Sequence, residues 1–277
     1  MARKIKDLTV AEQAARVVAI ASGEASKTRK FYAPGDSYNI YDKDFLGVIL
    51  WEGLSKITGD QIVVLASFDS GNRKTGPMVQ VWILRYDMQP HVAQKCGGDD
   101  AVCGDCTHRI NGTCYVVTFQ GPRAAYDSYK AGRYATFDGD YSIFSERKVR
   151  FGAYGDPSLI PFDIVRNIAD NCVSWTGYTH QWNNPVGAEY AKFFQASCDS
   201  VELLETATDK GWGSFTVLPV GFDKASLPFK TTRCPASIDD TVQCIDCGLC
   251  NGATRHAHKV VIEVHGRSDK VANYAFS

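Results

Sequence analysis

The sequence predicts an α/β protein built on a parallel sheet, and three observations carry that expectation. From Cys114 onward, short β-branched or aromatic runs alternate with helix-like runs. Several of those helix-like runs open on a capping residue followed by proline. Eight of the ten cysteines fall into two tight groups, one before this alternation and one near its end.

In order, Tyr115 to Phe119 is followed by Gly121-Pro122 and RAAYDSYKAG, and Val149 to Tyr154 by Asp156-Pro157 and SLIPFDIVRNIAD. Val173 to Thr179 precedes Asn184-Pro185 and VGAEYAKFF; Phe194 to Cys198 precedes Asp199-Ser200 and VELLETATDKG, and the strand Ser214 to Val220 comes next. Proline suits the first helical position because its missing N–H would be unbonded there anyway, and Asp or Asn before it accepts from the free amides. Strands alternating with helices need crossover connections, hence a parallel sheet, either a partial β/α barrel or a doubly wound sheet. In both, chemistry sits at the carboxyl ends of the strands. Lys259 to His265 supplies a last strand.

Residues 1–90 read as a mixed α+β segment, either a separate lobe or a set of outer strands covering one end of the core, with residues 91–277 as the β/α core. Val10, Ala14, Val17, Val18 and Ile20 recur near helical spacing before Gly23. Gln61 to Phe68 and Val79 to Tyr86 read as strands, joined by the Gly-, Asn- and charge-rich loop Asp69 to Gly76.

The 30 Lys plus Arg nearly balance 31 Asp plus Glu, so bulk charge gives no argument for a nucleic-acid or membrane partner. A local basic cluster, Arg147, Lys148 and Arg150, is the one feature that fits such a partner. The run Leu8 to Ser22 is interrupted by Glu12, Gln13 and Arg16, which excludes a hydrophobic export segment there, and no apolar run reaches bilayer length. The expected location is the cytoplasm, where crowded cysteines read as metal ligands rather than disulfides.

The first group is Cys96, Cys103, Cys106 and Cys114, interspersed with Gly97, Gly98, Gly104 and Gly112. A CxxC pair places two thiolates on one centre and the outer cysteines complete a four-sulfur set, for either an iron–sulfur cluster or Zn²⁺. The second group is Cys234, Cys244, Cys247 and Cys250. Its CxxCxxC run suits three corners of a [4Fe-4S] cubane better than one small Zn²⁺, with Cys234 as fourth ligand. Cys172 and Cys198 stand alone on strands and read as buried apolar residues. Strand ends would display Gln120, Tyr154, Asp156, His180, Gln181, Trp182 and Asp199 at one mouth, with Asp156 and Asp199 explained as helix caps. His256 and His258 are candidate outer-shell donors, and His108 is a spare zinc ligand. GxxxxGK[ST], GxGxxG, HExxH and GxSxG are all absent from the chain.

The runs VRFGAYGDP, TGYTHQW, FQASCDS and GWGSFTVLP, with the later RCPAS and CIDCGLC, resemble bacteriophage-encoded iron–sulfur proteins with a partial radical-SAM-like β/α barrel. The resemblance spans roughly residues 96–265. It implies the barrel rather than an open sheet, [4Fe-4S] binding and action in an infected host. The CxxxCxxC loop of radical-SAM clusters is missing, since the early cysteines precede the first core strand and are spaced differently. Radical catalysis is therefore not assigned. The expected function is a redox or electron-transfer role for one [4Fe-4S] cluster, with a second cluster or Zn²⁺ at the first group. The partner would be a redox protein or small molecule. The alternative is a non-enzymatic zinc-stabilised binding module contacting nucleic acid.

Overall fold

The computed structural model describes residues 30–68, 70–253, 256–266 and 268–274. The amphipathic helix expected in the first thirty residues lies, apart from Lys30, outside them. The fold is α/β with one mixed and one parallel sheet. Strands β1 (Gly47–Leu54), β2 (Gln61–Ser67) and β3 (Val79–Arg85) form an antiparallel meander. The chain then makes helices α1 (Pro90–Cys96), α2 (Asp100–Cys103), α3 (Thr107–Ile110) and α4 (Gly121–Lys130). Next come β4 (Ala135–Thr136), β5 (Lys148–Tyr154), α5 (Phe162–Asn171), β6 (Ser174–Thr176) and β7 (Tyr178–Thr179). The final part holds β8 (Gln195–Cys198), α6 (Val201–Asp209), β9 (Ser214–Leu218), β10 (Thr232–Arg233), α7 (Cys244–Cys247), β11 (Lys259–Glu263) and α8 (Ser268–Ala272).

The first sheet runs β4-β1-β2-β3-β5-β6 and the second β10-β11-β9-β8-β7. Because β3 pairs in parallel with β5, residues 47–85 extend the same sheet as the core strands. Neither sheet closes into a barrel: β4 and β10 remain edges. Only Gly177 separates β6 from β7, so the chain passes from one sheet to the other in a single residue. The Gly177 amide donates to the Cys250 carbonyl at 3.1 Å, and its carbonyl accepts from the Gln195 amide at 3.0 Å.

Helices cover the sheets through stripes at helical spacing: Pro122, Ala125 and Tyr126 on α4, and Val165, Ile168 and Ala169 on α5. The largest fully buried side chains include Tyr190, Phe144, Phe151, Phe193 and Phe194. Tyr190 stacks on Phe194 at 5.6 Å, and Phe194 meets Phe151 edge-on at 5.4 Å.

Two expected elements take other forms. Tyr115 to Phe119 is not a strand: β3, the nearest sheet neighbour in sequence, is already paired on both sides by β2 and β5. The segment instead lies over a cavity lined by Tyr115 and Val116. VGAEYAKFF forms only a single 3-10 turn, Ala188–Tyr190, not an α-helix. Its apolar residues Tyr190, Phe193 and Phe194 have helical spacing, but all three are buried, so the segment plugs the core instead of presenting an amphipathic face.

The sheet-to-sheet step requires glycine for space. A Cβ at Gly177 would meet Phe194 Cδ1 at 2.5 Å and Phe151 Cβ at 3.3 Å. Gly177→Ala is expected to destabilise the fold by about 1–3 kcal/mol through overpacking. The check is the denaturant midpoint; an unchanged midpoint would show that the two sheets yield freely at this joint.

Candidate metal centres

Side chains alternate across a strand, so residues two apart face the same way. Four strands and the residues just beyond their ends use that parity to aim at one place. Arg150, Gly152 and Tyr154 come from β5, Tyr178 and His180 from β7, Ser197 and Asp199 from β8, and Phe215 and Val217 from β9. They line a cavity of about 120 Å³, closed on another side by Cys103, Cys106, His108 and Cys114. The opposite parity (Val149, Phe151, Ala196, Cys198) belongs to the hydrophobic core.

The cavity-facing cysteines sit on a tight loop. Asp156, the residue following the Tyr154-Gly155 end of β5, donates its amide to the Val102 carbonyl at 2.6 Å. Gln181 Nε2 bonds the Cys103 carbonyl at 3.3 Å and Asp105 Oδ1 at 2.7 Å. Arg109 pairs with buried Asp99 at 3.2 Å and donates to the Gly104 carbonyl at 3.0 Å. Burial, reinforced by Cys106 and Cys114, pushes the Cys103 thiol well up. Burial likewise raises Cys114. The fourth cysteine of the group, Cys96, does not line this cavity. It is exposed, with its sulfur 3.5 Å from Met88 Sδ.

Asp156 does more than cap a helix. Its Oδ1 accepts from the Ser158 amide (3.0 Å), Ser158 Oγ (2.8 Å) and Thr179 Oγ1 (2.7 Å), and its Oδ2 from the His180 amide (2.8 Å). It thereby fixes where β7 ends and where His180 begins. Asp199 is not the cap of α6. Ser200 takes that role, accepting from the Leu203 amide at 3.2 Å, which frees Asp199 to face inward. Its carboxylate lies 3.2 Å from His108 Nε2 and 3.6 Å from His180 Nε2. Burial favours its neutral form, but the two imidazoles outweigh it and hold the carboxyl far below the usual range. Burial also opposes a charged His180, yet nearby Cys106 and Asp199 raise its pKa well above the ordinary value. Cys106 Sγ is 3.7 Å from His180 Nε2.

The second cysteine group is tied down from every side. The Cys244 and Ile245 amides donate to the Lys74 and Thr75 carbonyls, both at 3.0 Å. The loop between β2 and β3 therefore clamps the CxxCxxC run. Gln195 Nε2 donates to the Leu249 carbonyl at 3.0 Å, the Cys234 amide to the Val261 carbonyl at 2.8 Å, and Lys148 Nζ to the Ile245 carbonyl. Gly248 takes the left-handed conformation (φ 67°) that ends α7 and turns the chain toward Cys250. Burial raises the Cys250 thiol, partly offset by a hydrogen bond from Tyr178, and Cys234, Cys244 and Cys247 add to the rise. Burial raises Cys244 as well, with Arg150 acting against it.

A larger cavity of about 620 Å³ lies beside the first, sharing Tyr115, Val116, Arg150, Tyr178 and Phe215 with it. Its far side carries Cys234 and Cys244. The two cysteine groups thus flank neighbouring cavities, with Arg150 lining both. All ten cysteines are free thiols. Among the described residues, no three cysteine sulfurs lie within 4.8 Å of one another.

Of the other expected residues, Gln120 lines the larger cavity. Trp182 is core, donating to the Ser197 carbonyl at 2.9 Å and meeting Trp212 at 6.1 Å. His256 and His258 contact each other at 5.7 Å and line neither cavity. The basic cluster serves the interior: Arg147 lies over Phe68, Lys148 holds the cysteine loop and Arg150 faces the hollow. Tyr115 and Arg150 were not among the expected site residues, although strand parity with Tyr154 marks Arg150. No helix of the described residues is long and apolar enough to cross a membrane.

Comparison of the chain with family models, curated proteins and solved structures found no match.

Asp156→Asn should destabilise the protein by roughly 2–4 kcal/mol, because buried donors would then face an amide NH₂. Chemical denaturation measures it. A loss under about 0.5 kcal/mol, the range of a neutral surface change, would mean that Asp156 does not organise the strand ends.

Proposed function

We propose that this chain is an iron–sulfur protein in which Cys234, Cys244, Cys247 and Cys250 hold a [4Fe-4S] cluster serving redox or electron-transfer chemistry. The strand-end hollow would be the mouth of a partial β/α barrel. The carrying observation is the spacing of the cysteines. Four thiolates on one tetrahedral Zn²⁺, with bonds of about 2.3 Å, would stand roughly 3.8 Å apart. A CxxCxxC run cannot easily bring three sulfurs that close but suits three corners of a cubane, and Cys234, Cys244 and Cys247 all lie near enough to the buried Cys250 thiol to raise it further.

Charge supports the same reading. A cluster with four thiolates is anionic, and burying it requires neighbouring positive charge. Arg150 acts on Cys244, and Lys148 Nζ donates to the Ile245 carbonyl in the same loop. The anchoring of the loop by β5, β8, β11 and the β2–β3 loop would keep the sulfurs in place through a change of oxidation state. Cys103, Cys106 and Cys114 form a second thiol set in the neighbouring cavity, suited to a further metal. The cluster would supply one-electron chemistry. The chain's own residues would set its potential by charge and burial and keep water out with Tyr115, Tyr178 and Phe215.

Anaerobic purification should give a brown protein with about four irons and four sulfides per chain. Cys247→Ser should lose most of the visible absorbance and of the iron. Unchanged colour in that variant, or a colourless wild type carrying stoichiometric zinc in place of iron, would overturn the assignment.

A further inference from the structure

The first cavity holds a donor set of a different kind from the thiols that mark it in the sequence. Among the described residues, the only trio of His, Cys, Asp or Glu ligand atoms within 4.8 Å of one another is His108, His180 and Asp199. We propose that His108 Nε2, His180 Nε2 and the Asp199 carboxylate form a site for a single Zn²⁺ ion, with Cys106 Sγ 3.7 Å from His180 Nε2. This deepens the reading of the first cavity as a metal site and does not depend on the cluster at the second cysteine group.

Distances carry the proposal first. Metal–nitrogen and metal–oxygen bonds of about 2.0–2.2 Å around a tetrahedral ion put neighbouring N and O donors roughly 3.3–3.5 Å apart, and N and S donors roughly 3.6 Å apart. The observed separations are 3.2 Å (His108 to Asp199), 3.6 Å (His180 to Asp199) and 3.7 Å (His180 to Cys106). Two imidazoles and one carboxylate are also the donor set that holds catalytic zinc or non-haem iron with positions left open.

Hydrogen bonding supplies an independent second argument. Asp199 is only 4% exposed, and its Oδ1 has no hydrogen-bond partner despite lying 3.2 Å from His108 Nε2. An ion pair built for its own sake would align the N–H with that oxygen. Here the two atoms are within reach without meeting hydrogen-bond geometry, which leaves that oxygen's acceptor capacity unused.

The surroundings hold each donor as metal ligands are usually held. The other ring nitrogen of His108 bonds Thr113 Oγ1 at 2.9 Å, leaving Nε2 for the ion. The His108 ring stacks on Tyr274 at 5.8 Å and meets His180 edge-on at 5.7 Å. His180 is anchored through its amide by Asp156. The Tyr154 hydroxyl is buried in the same cavity without a hydrogen-bond partner. The ion's remaining positions would open onto the cavity shared with Arg150, so an exchangeable anionic or water ligand fits there.

The test uses the anaerobically purified full-length protein with one equivalent of Zn²⁺ added, read by X-ray absorption at the zinc edge, separate from any iron. The expected shell is nitrogen and oxygen at about 2.0–2.1 Å with imidazole scattering and at most one sulfur. A shell dominated by sulfur at about 2.3 Å, or failure to bind stoichiometric zinc, overturns the site. His108→Gln and Asp199→Asn should each weaken Zn²⁺ binding by at least about tenfold while leaving the iron content unchanged; unchanged zinc affinity in both overturns it. Cys247→Ser reports on the cluster alone: it should lose iron and keep this zinc site. Should Asp199→Asn fail to fold, the wild-type spectrum and His108→Gln still decide.

Discussion

Everything in this protein's interior depends on the two-residue period of parallel strands. Because β7, β8 and β9 lie side by side in one parallel sheet and β5 pairs in parallel with β6, one glycine away from β7, every second residue at their carboxyl ends meets the same hollow. That geometry gathers Arg150, Tyr154, Tyr178, His180, Asp199 and Phe215 from 66 residues of chain. The other parity is left to Val149, Phe151, Ala196 and Cys198, which give the strands their buried backing. A register slip of one residue in any of these strands would exchange the two sets and abolish both core and site.

Around this frame the two cysteine groups are held in different ways. The second is braced through its backbone by four separate elements: the β2–β3 loop and β11 by main-chain carbonyls, and β8 and β5 by the Gln195 and Lys148 side chains. The first is a short pair of helical turns docked on the end of β5 by Val102 and on Gln181. Raised thiol pKa values in both groups follow from burial and mutual proximity. Either set must therefore release protons to take a metal. Arg150, which lines both cavities, is the charge that most directly offsets what metal loading would deposit.

Much of this was legible in the residues, and the failures are informative. The strand–helix rhythm located β5, β8, β9, α4, α5 and α6, and proline junctions marked real turns at Gly121 and Asp156. The segment VGAEYAKFF misled because core aromatics at positions 190, 193 and 194 mimic a helix face. Asp199 was hidden by Ser200: either could cap the helix, and only packing decides which one turns inward. The link between His108 and Asp199, 91 residues apart, has no local trace, since it comes from a loop folding across the strand ends. β4 and β10 are two residues long, too short for any period to register. The loop between β2 and β3 looked like a simple turn, yet its carbonyls clamp the CxxCxxC run, a long-range pairing that composition does not encode.

The most direct measurement is an anaerobic crystal structure with anomalous scattering recorded across the iron edge. The expected result is a compact iron peak enclosed by Cys234, Cys244, Cys247 and Cys250. A map with no iron among those four sulfurs, or with any two of them joined to each other, would contradict the account.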